Sequence, residues 1–191
     1  MTLLRSLPLV LLLAGSGVFA EPIDIDAACL DCHRPGQARG EVPVIEGQQR
    51  DYLRNQLTRF RERHRDSFPM SALSAGLDAA TVERLAAELA ARPWQSPRVA
   101  VAAEHVARGA GRTQDLACAE CHGERFLGAG DIPRLAGQQP GYLGRQLQGF
   151  GEGDRFHPPT GIGTRMYALE PDDARNIAAF LHSLGETTSV D

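Results

Sequence analysis

Apolar positions along the chain recur at helical spacing. Tyr52, Leu53, Gln56, Leu57 and Phe60 fall on one face of a 3.6-residue period, as do Val82, Leu85, Ala86 and Leu89, and again Ile177, Ala178, Leu181 and Leu184. A further helix is expected over Ser96 to Arg108, and no run alternates with the period of two that marks a strand. The expected fold class is therefore all-α, with the apolar stripes forming the core. The N-terminus follows a different pattern. In "MTLLRSLPLVLLLAGSGVFA", Arg5 precedes an apolar run from Leu7 to Leu13, and Val18 and Ala20 fit a cleavage site. This reads as a secretory signal peptide over 1–20, too short for the roughly 20 apolar residues of a membrane span. The mature chain is expected to start at Glu21 and to work in the periplasm.

The pattern also repeats. "VPVIEGQQRDYLRNQLTRF" (42–60) aligns with "IPRLAGQQPGYLGRQLQGF" (132–150), so that Pro43, Gly47, Gln48, Gln49, Tyr52, Leu53, Gln56, Leu57 and Phe60 each recur 90 positions on. "MSAL" (70–73) returns as "MYAL" (166–169). A period this long exceeds that of solenoid repeats and reads as a duplicated domain. Pro93 and Pro97 interrupt the helical pattern between the copies. The expected division is an N-terminal domain over 21–92, a linker over 93–97, a C-terminal domain over 98–185 and a tail over 186–191. Each unit is small and poor in aromatic residues, the situation in which a fold needs a staple or a buried cofactor.

Charge excludes one class of partner. The net charge is −4 and every basic side chain is arginine, so a nucleic-acid surface is not expected. The densest basic run, "RFRERHR" (59–65), reads as a solvated helix face or as a docking surface for carboxylates.

All four cysteines lie in two motifs, "CLDCH" (29–33) and "CAECH" (118–122). A zinc site could use Cys29, Cys32, Cys118 and Cys121, but would leave a histidine after each pair without a role. A thioredoxin-like centre lacks its βαβ context. A disulfide across two residues closes too small a loop to constrain the unfolded chain much. Covalent attachment of haem c uses every residue of the motif: two thiols three apart on a helical turn reach one porphyrin edge, and His33 or His122 binds the iron. The candidate cofactors are thus two haem c groups. Beyond Met1 the chain has two methionines, Met70 and Met166, one in each copy, and their thioethers are the expected sixth ligands. His64 and His157 are the rivals; these, with His105 and His182, otherwise read as surface loop histidines. The ring nitrogen of each proximal histidine that faces away from iron needs an acceptor, and the rigid Pro43 and Pro133 carbonyls are the candidates.

With both Cys-x-x-Cys-His motifs, the Gly-Gln…Tyr-Leu…Gln-Leu…Phe segment and both Met-x-Ala-Leu segments in hand, the chain resembles the dihaem cytochromes of the cytochrome c4 family over nearly all its mature length. The resemblance implies two tandem class I cytochrome c domains related by a pseudo-twofold axis. Each would wrap one covalently bound haem, with the propionates near the domain interface. It implies periplasmic transfer of single electrons from a quinol-oxidising complex to a terminal oxidase or similar acceptor, with peripheral membrane association possible and no catalytic residues. Two other roles fit the same residues: the cytochrome subunit of a dehydrogenase complex, and a haem enzyme with one open axial position. The copies are unequal. Only eight residues precede Cys29 in the expected mature chain, and Arg34 stands where the second copy has Gly123. The first domain is expected to lack most of its N-terminal helix and to expose its haem more.

Overall fold

The computed structural model describes residues 23–36, 40–157, 169–170 and 172–185. The expected signal peptide, the expected tail and Met166 lie outside them.

Two helical groups form. In the first, a short π-helical turn Asp26–Leu30 runs into α1 (Asp31–His33), followed by α2 (Arg50–Arg61), α3 (Met70–Ser74) and α4 (Ala79–Ala90). The second comprises α5 (Ala103–Asp115), α6 (Ala119–His122), α7 (Pro140–Glu152) and α8 (Asp173–Ser183). Among the described residues the only sheet-like pairing is an isolated bridge between Ala129 and Ile132. No helix among them is long and apolar enough to cross a membrane.

Helix ends follow local chemistry. Asp78 caps α4 by accepting the Thr81 N–H at 2.7 Å, and this bond holds its carboxyl below the usual range. Pro140 opens α7, where the missing N–H costs nothing, and Gly153 closes it in the left-handed conformation at φ 81°. The segment 96–102, expected to be helical, forms no helix, and α5 starts only at Ala103. Val99 and Val101 are β-branched, which lowers the helix propensity of the segment. Its backbone is tied elsewhere: the Val99 carbonyl lies 3.0 Å from His182 Nε2.

Each group has its own core. In the first, α2 and α4 close over Ile25, Leu30, Leu53, Leu85, Ala86 and Leu89. In the second, α7 and α8 close over Leu116, Phe126, Leu143, Ile177 and Leu181, with Phe126 meeting Phe180 edge-to-face at 5.9 Å. Each buried leucine contributes about 1.5–3 kcal/mol, against about 0–1 kcal/mol for an exposed ion pair, so packing sets the fold.

The groups differ at their starts. Helix α5 lies against α8 and has no counterpart in the first group among the described residues. Arg112 of α5 reaches Asp173 of α8 at 2.8 Å, and His105 Nδ1 lies 2.7 Å from Asn176 Oδ1. His105 therefore sits on a helix and faces a neighbour, and His182 is buried, with Nδ1 3.0 Å from the Gln138 carbonyl. Neither is the surface loop histidine expected from sequence; the helical period places both toward packed elements. The first group has an ionic staple of its own. Arg92, just past α4, holds Asp26 at 2.9 Å and Glu46 at 3.3 Å. The Arg92 hydrogen bond is the main reason the Asp26 carboxyl sits below its usual range.

The α5–α8 approach is set by Gly109, where a Cβ would overlap the Asn176 carbonyl and the Phe180 Cβ. Backbone cannot yield as a flexible side chain can. Gly109→Ala should destabilise the protein by about 1–3 kcal/mol, seen as a lowered Tm, while Gly111→Ala, which meets open space, should not.

Candidate functional site

The two Cys-x-x-Cys-His motifs occupy equivalent short helices. Cys29 and Cys32 lie on the π-helical turn and α1, and Cys118 and Cys121 on the first turn of α6. All four thiols are free, and among the described residues no three His, Cys, Asp or Glu side chains gather as a metal site. The four-cysteine zinc reading is thereby overturned: the pairs stand in separate halves. Burial pushes the Cys29 thiol up, and that of Cys118 up to about 11, so both are neutral thiols rather than thiolates.

Each motif histidine is held from behind. His33 Nδ1 lies 2.8 Å from the Pro43 carbonyl and His122 Nδ1 lies 3.0 Å from the Pro133 carbonyl. A carbonyl only accepts, so Nδ1 carries the proton and donates in both, which leaves each Nε2 with its lone pair. Burial is the main cause that lowers both imidazole pKa values, and the proline hydrogen bonds oppose it. Both rings are thus neutral ligand-ready imidazoles at neutral pH.

The proline loops are positioned by glycine turns. Gly47 and Gly137 have φ of 67° and 73°, a region open to glycine. Their N–H groups donate at 2.9 Å to Leu89 O of α4 and Leu181 O of α8. A Cβ at Gly47 would run into the Trp94 backbone, and one at Gly137 into Ser96 and Gly185.

Beyond these turns the halves clasp each other. The buried Gln138 side chain donates from Nε2 to Val44 O at 2.8 Å and accepts the Val44 N–H at 2.8 Å. The buried Gln48 does the same for Arg134, donating to its carbonyl at 3.0 Å and accepting its N–H at 2.7 Å. Val44 and Arg134 directly follow Pro43 and Pro133. Each histidine-holding loop is therefore pinned by a glutamine of the other half, in a reciprocal pattern that defines a pseudo-twofold axis.

A second reciprocal cluster lies on the facing surfaces of α2 and α7. Tyr52 and Tyr142 bring their hydroxyls within 3.4 Å. Arg65 donates to Gln56 at 2.7 Å in its own half, and to Gln146 at 2.8 Å and Tyr142 Oη at 3.4 Å across the interface. Arg155 mirrors it, donating to Gln146 at 2.6 Å, and across to Tyr52 Oη and Gln56 at 3.3 Å. Each guanidinium stacks on the phenylalanine near the end of its own long helix, Arg65 over Phe60 and Arg155 over Phe150, at 4.6 and 4.7 Å. Burial raises the Tyr52 phenol, whereas for Tyr142 the two arginines outweigh burial and draw it down.

The geometry separates the remaining candidates. Met70 opens α3, partly buried, between Phe68 at 91% and Leu73 at 61% exposure. His64 is 69% exposed and leans 3.5 Å from Glu62, so it turns to solvent. His157 turns inward: its ring centroid lies 6.4 Å from that of His122 and 5.0 Å from Phe150, which meets it edge-on. The sequence reading passed over Gln48, Gln138 and Arg155 as functional positions, and took Arg65 only as part of the basic run 59–65, whereas it bonds across the two halves. The signal was available, since Gln48 and Arg65 have the same residue 90 positions later.

A cytochrome c family model matches residues 106–185, which contain the second motif. Cytochrome c4 of Thiocapsa roseopersicina is 32% identical, over 84% of this chain and 89% of its own length. The chain belongs to the cytochrome c4 family. Cytochrome c4 of Acidithiobacillus ferrooxidans shares the fold with a TM-score of 0.73 and 29% identity, covering 83% of this chain and 99% of its own. The thiosulfate dehydrogenase electron acceptor of Stutzerimonas stutzeri strain A1501 is 32% identical over 83% of this chain and 80% of its own length. Family membership makes the protein a c-type cytochrome that binds haem c covalently and belongs to a family of electron carriers. The chemistry of the site fits that group: cysteines in pairs, and behind each pair an imidazole with its tautomer fixed.

Removing one arm of the clasp isolates its contribution. Gln138→Leu leaves the buried Val44 N–H and C=O without partners, which should cost roughly 1–3 kcal/mol. Hydrogen exchange at the Val44 amide should accelerate while helix content stays constant. Unchanged protection there would mean that the halves are joined by other contacts.

Proposed function

We propose that this protein is a periplasmic dihaem electron carrier. The observation that supports it most is the symmetric pair of histidines, His33 on Pro43 and His122 on Pro133, each following two cysteines three residues apart. Cys29 and Cys32 tether the first haem, and Cys118 and Cys121 the second. His33 and His122 present Nε2 to iron, and Met70 and Met166 supply the sixth ligands. The haem iron, when bound, takes up and gives back one electron. The chain's own contribution is to fill both axial positions, to hold the imidazoles in one tautomer, and to keep the two sites in register through the glutamine clasp. Filled axial positions keep substrates off the iron, so no catalytic residue is assigned.

His157 favours a second reading at the second iron. A second imidazole standing close to the iron-binding histidine would offer the metal another nitrogen ligand. His122 and His157 are 6.4 Å apart. His157 then competes with Met166 for the sixth position.

A haemochrome assay should return two haems per chain, and the ferric spectrum should be low-spin with the weak near-red methionine–iron band. High-spin iron at both haems would reject the carrier reading. Loss of half the band in Met70→His and the remainder in Met166→His assigns methionine to both irons. A band that Met166→His leaves unchanged, with a low-spin to high-spin change in His157→Ala, assigns the second iron to His157.

For a partner, the reading favoured by the relative is a periplasmic dehydrogenase that passes electrons to this chain, thiosulfate dehydrogenase being the named example. The exposed Phe68 and Leu73 on either side of Met70 give such a partner an apolar landing surface beside the first haem. Phe68→Ser should slow reduction by the dehydrogenase severalfold in stopped flow without changing the spectrum; an unchanged rate would move the landing surface elsewhere.

A further inference from the structure

His182 lies outside both Cys-x-x-Cys-His motifs, yet its ring is 3% exposed and both of its nitrogens meet backbone. Nδ1 lies 3.0 Å from the Gln138 carbonyl and Nε2 lies 3.0 Å from the Val99 carbonyl. A carbonyl only accepts, and a neutral imidazole has a single N–H. The ring therefore serves both carbonyls only when it carries two protons. With one proton fewer, a nitrogen lone pair faces a carbonyl oxygen at hydrogen-bond distance, and a buried acceptor has lost its donor.

Gln138 gives this position its reach. Its side chain closes on both backbone groups of Val44 in the other half, while its own carbonyl lies on His182. Gly137, just before it, donates to Leu181 O, and the matching bond in the first half runs from Gly47 to Leu89 O. Ala90 thus holds the place of His182 in the first half, so the fold itself accepts alanine there. One arm of an otherwise reciprocal clasp is backed by a histidine, the side chain whose charge ordinarily changes between about pH 5 and 8. The ring borders a cleft lined by Val99, Val101, Val106 and Ala107, none of which titrates, and the cleft gives a proton its way in. Charged and titratable groups on the packed elements are engaged elsewhere or exposed. Arg112 lies on Asp173, His105 on Asn176, Arg134 on the Ala136 carbonyl and Tyr142 against Tyr52. Arg98, Glu104, Arg108, Asp115, Arg145, Glu152 and Arg175 are exposed.

We propose that His182 is a proton-operated anchor for the Gln138 arm of the clasp. Doubly protonated, it holds the Gln138 and Val99 carbonyls together. Neutral imidazole favours the Nε2–H tautomer, so Nδ1 gives up its proton and the Gln138 carbonyl is released. The bond is present at the acid end and lost as pH rises. Gln138 then holds Val44 less firmly, and with it the loop that sets Pro43 behind His33. A proton bound in the second half thereby acts on the support of the first half's histidine. For its consequence at the first iron the inference rests on the dihaem reading.

The test is amide hydrogen exchange of the reduced holoprotein between pH 5 and 8. Haem content is assayed first; a count other than two bears on the dihaem reading and leaves the anchor to be decided by exchange. The Arg134 amide, held by Gln48, is the internal reference. Taking the ratio of the Val44 rate to the Arg134 rate cancels the intrinsic rise of exchange with pH. In the wild type this ratio should increase about tenfold from pH 5 to pH 8. In His182→Ala it should be high at pH 5 already and flat with pH, which loss of packing alone would not produce from a sloping wild type. A flat ratio in the wild type, or a slope that survives in His182→Ala, overturns the anchor. If His182→Ala does not fold, the ring nitrogens of wild-type His182 decide by their ¹⁵N shifts. Loss of the Nδ1 proton in step with the Val44 ratio supports the proposal. A ring with one proton throughout, or one that gives up the Nε2 proton instead, overturns it.

Discussion

The glutamine clasp is the constraint on which the rest of the structure depends. Gln48 and Gln138 each give a donor and an acceptor to a backbone unit in the opposite half, as a neighbouring strand would. Those units are not arbitrary surface. They follow the prolines whose carbonyls hold His33 and His122. The geometry behind each imidazole is thus continuous with the contact that joins the halves. Burial makes the arrangement obligatory, because a glutamine turned away would leave four hydrogen-bonding groups dry and unpaired.

A single architecture serves two sites of unequal surroundings. The second half rests on α5 packed into α8 through Gly109, a contact made by backbone and apolar side chains. The first half relies on the Arg92 staple to Asp26 and Glu46, which is half in solvent. Screened ion pairs hold a segment less firmly than close packing does. The segment around Cys29 and Cys32 is thus held by Ile25 and Leu30 in the core and by exposed ion pairs outside it, and Cys32 is exposed where Cys121 is partly covered.

Much of this was legible in the sequence because it depends on period and spacing. Helical stripes placed α2, α4 and α8, and Val82, Leu85, Ala86 and Leu89 are all buried. The motif spacing identified the thiols and histidines. What sequence alone did not yield depends on relations between distant residues. Tyr52 and Gln56 read as part of an apolar stripe, yet they face another polar helix, since a stripe does not say what covers it. The helix expected from Ser96 onward starts seven residues later, and the segment before it runs instead past His182, 83 positions away from Val99. The histidines on α5 and α8 looked like solvent-facing loops for the same reason: the groups they lie against are 44 to 83 positions away along the chain.

Reciprocity in the clasp has a consequence for how such a chain could arise. The glutamine, tyrosine and arginine contacts across the axis are made twice, by equivalent residues, so this part of the surface is complementary to its own copy, as in an isologous dimer. A gene encoding one half would already specify both sides of the joint. Duplication and fusion then add only a tether, and raise the local concentration of a contact that needs no new residues. Divergence of one half is afterwards restricted at the glutamines, tyrosines and arginines of the axis and free at its outer helices, where the two halves do differ.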